Sequence, residues 1–225
     1  AVTTGVKNVV VGSLALDALD SGQENVAIGH QALSSDTKGQ RNVAVGALAL
    51  GTQNFTSANN SYNVGVGYSA GSEITTGTNN VLIGALSGDA ITTGADNIGL
   101  GRDTLGANQT GGQNVAIGYG TLRDNTASGN TAVGFLALEE NTSGTRNLAV
   151  GYNALENPDT ENDNLAIGYE ALEGAIAGGE YNVAIGNYTL DALTSGDSNV
   201  AIGYNAGSAM TTGSENILIG LNAVA

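Results

Sequence analysis

The sequence predicts an all-β fold, a β-solenoid (β-roll) of 13 coils with about 17 residues per coil, read as a single repeat domain over residues 1–225. Three observations predict it. First, an Asn-x-Ala-x-Gly unit or a close variant recurs with its Asn at Asn8, Asn25, Asn42, Asn63, Asn80, Asn97, Asn114, Asn130, Asn147, Asn164, Asn182, Asn199 and Asn216. Nine of the twelve intervals are 17 residues and the others are 21, 16 and 18, which leaves no segment over for a separate globular domain. Second, each unit alternates large and small residues, as in Val26-Ala27-Ile28-Gly29, the period of two expected of a strand. Third, no stretch shows sustained helical periodicity with caps.

The elements of a coil follow in order. The Asn is read as a structural ladder, its amide accepting from one neighbouring coil and donating to the other. After the strand and its Gly come Ala, Ser or Thr, then Leu in nine of thirteen units, which marks an interior slot. Gly71, Gly88 and Gly207 replace that Leu, and a large apolar residue then stands three places later, as Ile74, Ile91 and Met210. Where Leu is kept the later slot is usually polar, as in Asp36, Asn108, Asn125 and Asn141. One coil therefore has room for about one extra large side chain; leaving a Leu-sized hole would cost about 2–5 kcal/mol. A Thr/Ser-Gly turn closes the coil, and Gly three places before the next Asn is expected to supply a positive φ at a corner. Each coil thus reads as two short strands and two turns. The 21-residue unit inserts around residues 51–61 and brings in Phe55, the 18-residue unit holds Gly178-Gly179, and Pro158 marks a turn or unpaired edge.

The two ends of the sequence are complementary within this rhythm. Residues 221–225 followed by residues 1–7 make one in-phase repeat, in which Val224 and Val2 occupy the two interior slots. The expected assembly interface is therefore Ala1, Val2, Thr3, Thr4 and Gly5 against Leu221, Asn222, Ala223, Val224 and Ala225, completing one coil between successive copies.

Composition narrows the function classes. A net charge of −15 with only six Lys and Arg argues against nucleic-acid or anionic-membrane partners. No apolar run is long enough to span a bilayer, so membrane insertion is not expected. The absence of Cys removes disulfides, thiolate metal sites and Cys nucleophiles, leaving coil stacking as the source of stability. His30 stands alone and cannot build a triad or a His metal cluster. Glu139, Glu140, Glu156, Asp159, Glu161 and Asp163 gather in later coils, but no Gly-Gly-x-Gly-x-Asp calcium turn occurs, and a solvated acidic face is the plainer reading. Gly65-x-Gly67 and Gly99-x-Gly101 are repeat glycines with no helix to present to a phosphate. No cofactor, metal or enzyme activity is expected. Tyr119, Phe135, Tyr152 and Tyr169 occupy one slot in four consecutive coils; such a column suits either glycan contact or plain stacking. Recurrent Thr-Thr-Gly and Thr-Ser-Gly turns suit either ice binding or ordinary turn formation.

Units such as Asn114-Val-Ala-Ile-Gly-Tyr-Gly-Thr-Leu122 and Asn147-Leu-Ala-Val-Gly-Tyr-Asn-Ala-Leu155 resemble the head repeats of YadA-like trimeric autotransporter adhesins and the repeats of phage tail-fibre proteins. The resemblance implies a left-handed roll, a surface or virion location, and a threefold bundle packed on the Ala/Gly face. The expected function is structural: the subunit of a self-assembling extracellular filament that polymerises head to tail. The alternative is the shaft or head of a trimeric adhesin or tail fibre that binds a cell-surface glycan. The expected partner is the chain itself.

Overall fold

The computed structural model describes residues 4–174 and 176–224. Over these residues the chain is a parallel β-solenoid with no helix, its strands recurring roughly every 17 residues. It forms two compact units, Ala1–Gln113 and Asn114–Ala225.

The first unit contains β1 (Val9–Val11), β2 (Val26–Ile28), β3 (Gly39–Gln40), β4 (Val43–Val45), β5 (Asn59–Asn60), β6 (Val64–Val66), β7 (Val81–Ile83) and β8 (Ile98–Leu100). Its main sheet runs β1-β2-β4-β6-β7-β8, every pair parallel and in register, so that Val9 faces Val26, Val26 faces Val43 and Val64 faces Val81. The short β3 and β5 pair separately, and β5 lies in the 21-residue coil. The second unit contains β9 (Val115–Ile117), β10 (Thr131–Val133), β11 (Leu148–Val150), β12 (Leu165–Ile167), β13 (Val183–Ile185), β14 (Val200–Ile202) and β15 (Ile217–Ile219), again stacked in sequence order and in register.

Most coils carry one three-residue strand, not the expected two. The opposite wall is a run of turns because its Leu residues adopt left-handed φ: 51° at Leu16, 53° at Leu33, 50° at Leu50 and 54° at Leu138. An extended ladder cannot pass through such residues. Their backbones still bond from coil to coil: Leu16 N–H donates to the Ala32 carbonyl at 2.9 Å, Leu33 to Ala49 at 3.0 Å and Leu155 to Ala171 at 2.9 Å.

The core lies between these walls. Middle strand residues such as Ala27, Ala44, Ala116 and Ala149 are fully buried, and opposite them so are Leu33, Leu50, Leu122 and Leu155. The small residues thus point inward, and the Val and Ile at the first and third strand positions point outward. This corrects the expectation of a bundle packed on the Ala/Gly face, since that face is the interior of each coil. Volumes compensate between rungs: Leu82 stands in register between Gly65 and Gly99. Ile74 and Ile91, which accompany Gly71 and Gly88, are fully buried. Asp36, Asn108, Asn125 and Asn141 occupy the same slot and are buried as well, held by local hydrogen bonds such as Gly39 N–H to Asp36 Oδ1 at 2.9 Å and Asn108 Nδ2 to the Gly111 carbonyl at 3.0 Å. Phe55 is buried, so the residues added to the 21-residue coil contribute to its core.

Candidate functional site

The repeat Asn residues form a hydrogen-bonded column in each unit. In the first, Asn8 Oδ1 accepts the backbone N–H of Asn25 at 2.9 Å, and Asn25 Oδ1 accepts that of Asn42 at 2.9 Å. Asn42 Oδ1 serves Asn63, Asn63 serves Asn80, and Asn80 serves Asn97. In the second unit the relation runs from Asn114 through Asn130, Asn147, Asn164, Asn182 and Asn199 to Asn216. The main link is side chain to backbone; direct amide-to-amide bonds, such as Asn42 Nδ2 to Asn25 Oδ1 at 3.1 Å, are additional and occur at some rungs.

The amide nitrogen has a second task. Asn25 Nδ2 donates to the Gly39 carbonyl, Asn80 Nδ2 to Gly94 and Asn182 Nδ2 to Gly196, at 2.8–2.9 Å. Each Asn therefore holds the turn of the adjacent coil. That bond needs only a carbonyl, and Ala127 and Glu161 accept it as well, so the Gly three places before the Asn has another role, which is also not the expected one. Gly22, Gly39, Gly77 and Gly94 are not among the positive-φ residues. Their requirement is proximity: a Cβ on Gly22 would collide with the Gly39 carbonyl oxygen, and one on Gly77 with that of Gly94. Positive φ falls instead on the Gly that ends each strand, for instance 137° at Gly29 and 146° at Gly151.

The terminal strands differ from the interior ones. In β1, Val9, Val10 and Val11 are 51%, 41% and 57% exposed, although the middle position is fully buried in β2 and β4. In β15 the middle residue Leu218 is buried as in interior strands, but Ile217 and Ile219 are 75% and 67% exposed, and Leu221 and Val224 are similarly open. Of the expected interface residues, Thr4 bonds to the Asp20 carbonyl at 2.9 Å through its N–H, Asn222 N–H donates to Tyr204, and the Ala223 carbonyl accepts from Gly207. A Cβ on Gly5 would meet the Gly22 carbonyl oxygen, so Gly5 belongs to the corner column. Ala1, Val2, Thr3 and Ala225 lie outside the described residues.

The aromatic column is a stack. Tyr119 and Phe135 lie 5.2 Å apart, Phe135 and Tyr152 5.2 Å, and Tyr152 and Tyr169 5.0 Å between centroids, with interplanar angles of 16° or less. Tyr188 and Tyr204 continue it edge-on. The inner rings spend both faces on one another, so they present edges and, on the Tyr residues, hydroxyls to solvent; no sugar fits between rings at this spacing. The Thr turns are equally occupied. Thr75 Oγ1 donates to the Thr92 carbonyl at 3.0 Å, Thr92 Oγ1 to Gln109 at 3.0 Å and Thr194 Oγ1 to Thr211 at 2.8 Å.

The later carboxylates separate into three groups. Glu161 is buried and accepts backbone N–H groups of Thr160 and Gly178, and Asp163 pairs with Arg146 at 2.6 Å. Asp159 Oδ1 accepts the Thr142 hydroxyl. Glu139, Glu156, Glu173 and Asp191 occupy one slot in four successive coils, next to Arg123, whose guanidinium pairs with Glu139. Burial raises all four carboxyl groups, Glu156 to about 7 with further contributions from Glu173, Glu139 and Glu140. The sequence marked an acidic region; the alignment of this column, which includes Glu173 and Asp191, was legible only by counting from each Asn. No group of three metal-ligating side chains occurs among the described residues, and His30 is exposed.

The chain matches no family model, no curated protein and no solved structure in comparisons of sequence and fold.

Proposed function

We propose that this chain is the structural subunit of an extracellular filament that grows head to tail, the β15 face of one copy stacking on the β1 face of the next. The observation that carries this reading is the exposure of apolar strand residues at those two faces, Val9, Val10 and Val11 in β1 and Ile217 and Ile219 in β15. An unpaired parallel edge is a template for another strand, and β1 and β15 have the same length and are apolar throughout. Electron microscopy and sedimentation of the purified protein test it: filaments are expected, and deletion of residues 1–7 should abolish them while circular dichroism still reports a folded solenoid. Polymerisation unchanged by that deletion would refute the mechanism.

A second reading is a laterally bundled shaft, as in a trimeric adhesin or tail fibre, with a glycan as ligand. The outward Val and Ile columns of the sheet favour it, because part-exposed apolar side chains repeated along a sheet suit burial against a neighbouring copy. Mass per unit length separates the two readings, one chain in cross-section for the simple filament and three for the shaft.

A further inference from the structure

The residue before the repeat Asn stands at a corner with left-handed φ, as at Lys7, Glu24, Arg41 and Tyr62 in the first unit and Arg146, Asp163, Tyr181, Ser198 and Glu215 in the second, and within each unit these residues form an axial column. Oppositely charged neighbours in these columns pair. Lys7 Nζ lies 3.0 Å from Glu24 Oε1, and Arg41 Nε lies 2.9 Å from Glu24 Oε2, so Glu24 is held from both sides. Arg146 and Asp163 repeat the arrangement at 2.6 Å. A cation in this column thus bonds an acid one coil away. The first unit's column holds the cation Lys7 in the coil of β1, and the second unit's column holds an exposed acid, Glu215, in the coil of β15.

A second set of groups is complementary in the same way. Among the described residues no donor reaches Asn216 Oδ1, and its Nδ2, besides bonding Asn199 Oδ1 at 3.1 Å, turns to the Ser214 carbonyl at 3.1 Å and the Met210 sulfur at 3.5 Å, where Asn182 and Asn199 donate to Gly196 and Gly213. Counted in repeat slots, the missing carbonyl is that of Gly5, and the N–H that Asn216 Oδ1 would accept is that of Asn8. The apolar residues agree in register: Ile217-Leu218-Ile219 would face Val9-Val10-Val11.

We infer that, in the head-to-tail filament, Lys7 of one copy closes between its own Glu24 and Glu215 of a second copy, while Asn216 of that second copy takes the Gly5 carbonyl and the Asn8 N–H. This rests on the filament reading and adds to it the register and polarity of the joint. The charge pair selects the direction, since two β15 faces would bring Glu215 to Glu215 and two β1 faces Lys7 to Lys7.

Disulfide trapping tests the register. The chain has no Cys, and neighbouring corner positions one strand spacing apart, about 4.8 Å, fall within the 4.4–6.8 Å Cα separation that a disulfide bridges. The K7C/E215C variant should give, on oxidation, a ladder of covalent oligomers that collapses on reduction. The K7C/S198C variant, whose two positions would lie two spacings apart, should give none. Separately, E215R leaves both strand faces intact and should raise the critical concentration severalfold at low salt, the difference closing near 1 M salt, where the Debye length is about 3 Å. Filaments of K7C/E215C that oxidise without cross-linking, or equal cross-linking in K7C/S198C, would overturn the joint and leave the filament standing. An absence of any filament from the unmodified chain would overturn both.

Discussion

Asn80 Oδ1 accepts the backbone N–H of Asn97 at 3.1 Å, while Asn80 Nδ2 donates to the Gly94 carbonyl at 2.9 Å, so one amide ties the strand entry and the corner of the next coil to its own. Both bonds are buried. Asn80→Ala should therefore cost about 1–3 kcal/mol, the penalty for stranding buried backbone groups, and Asn80→Asp should cost more because a carboxylate cannot donate to Gly94. Urea unfolding monitored by circular dichroism measures both, and hydrogen exchange should place the loss at the coils around Asn80. Equal stability of the Ala variant and the parent would remove the structural role of this amide.

Gly94 has an ordinary φ, yet a Cβ there would lie 2.5 Å from the Gly111 carbonyl oxygen and within 3.4 Å of Ile91 and the Asn97 amide. Gly94→Ala should lower the thermal midpoint, although replacing Gly by Ala at a compatible φ normally stabilises by about 0.4–1 kcal/mol. A raised midpoint would show that the coils can move apart to accept a methyl group.

Leu155 and Ile91 are fully buried at the two alternative interior slots. Leu155→Ala and Ile91→Ala should each cost about 2–5 kcal/mol, because the in-register rungs above and below prevent collapse into the cavity. Denaturant titration of the two variants checks this; a cost below about 1 kcal/mol for either would mean that its coil is not a shared interior.

Glu156 is raised to about 7, first by burial and then by Glu173, Glu139 and Glu140, with Arg123 reaching only as far as Glu139 in the same column. Its folded-state value lies above the ordinary carboxyl value, so the folded chain holds a proton that the unfolded chain releases between about pH 4.5 and 7. Stability should consequently fall as pH rises from about 4.5 through 7 and then level off. Glu156→Gln removes the titrating group and should flatten that portion of the profile, measured as thermal midpoint against pH. A profile rising with pH over this window, or one identical in the Gln variant, would contradict the assignment.

Tyr152 stacks on Phe135 at 5.2 Å and on Tyr169 at 5.0 Å. Tyr152→Ala removes two pairs, each worth about 0.5–1.5 kcal/mol, and should lower stability accordingly without affecting the fold of the neighbouring coils. A glycan-array signal lost in this variant while stability stays unchanged would favour ligand contact over stacking.

The solenoid, its period and its Asn-led strands were legible because one unit repeats with few errors: a Leu at a fixed distance from Asn25, Asn42 or Asn147 can only be a shared interior. Which side of Val26-Ala27-Ile28 faces that interior was not legible, since alternation gives two faces and no sign. The narrow space between walls decides it, admitting Ala from the strand against Leu from the turns. The absence of a second strand from most coils has a related cause. Leu33 and Leu50 are ordinary strand residues by propensity, but coil closure forces them to left-handed φ, a cost that stacking on identical neighbours offsets.

By itself the sequence determined the repeat, its register and the chemical identity of every column, because identical slots in a stack must lie over one another. Tertiary structure alone decided direction: which face is inside, and which glycine is needed for close approach and which for φ. Those follow from distances of a few ångströms between coils, set by backbone pairing between residues about 17 positions apart, and no local pattern encodes them.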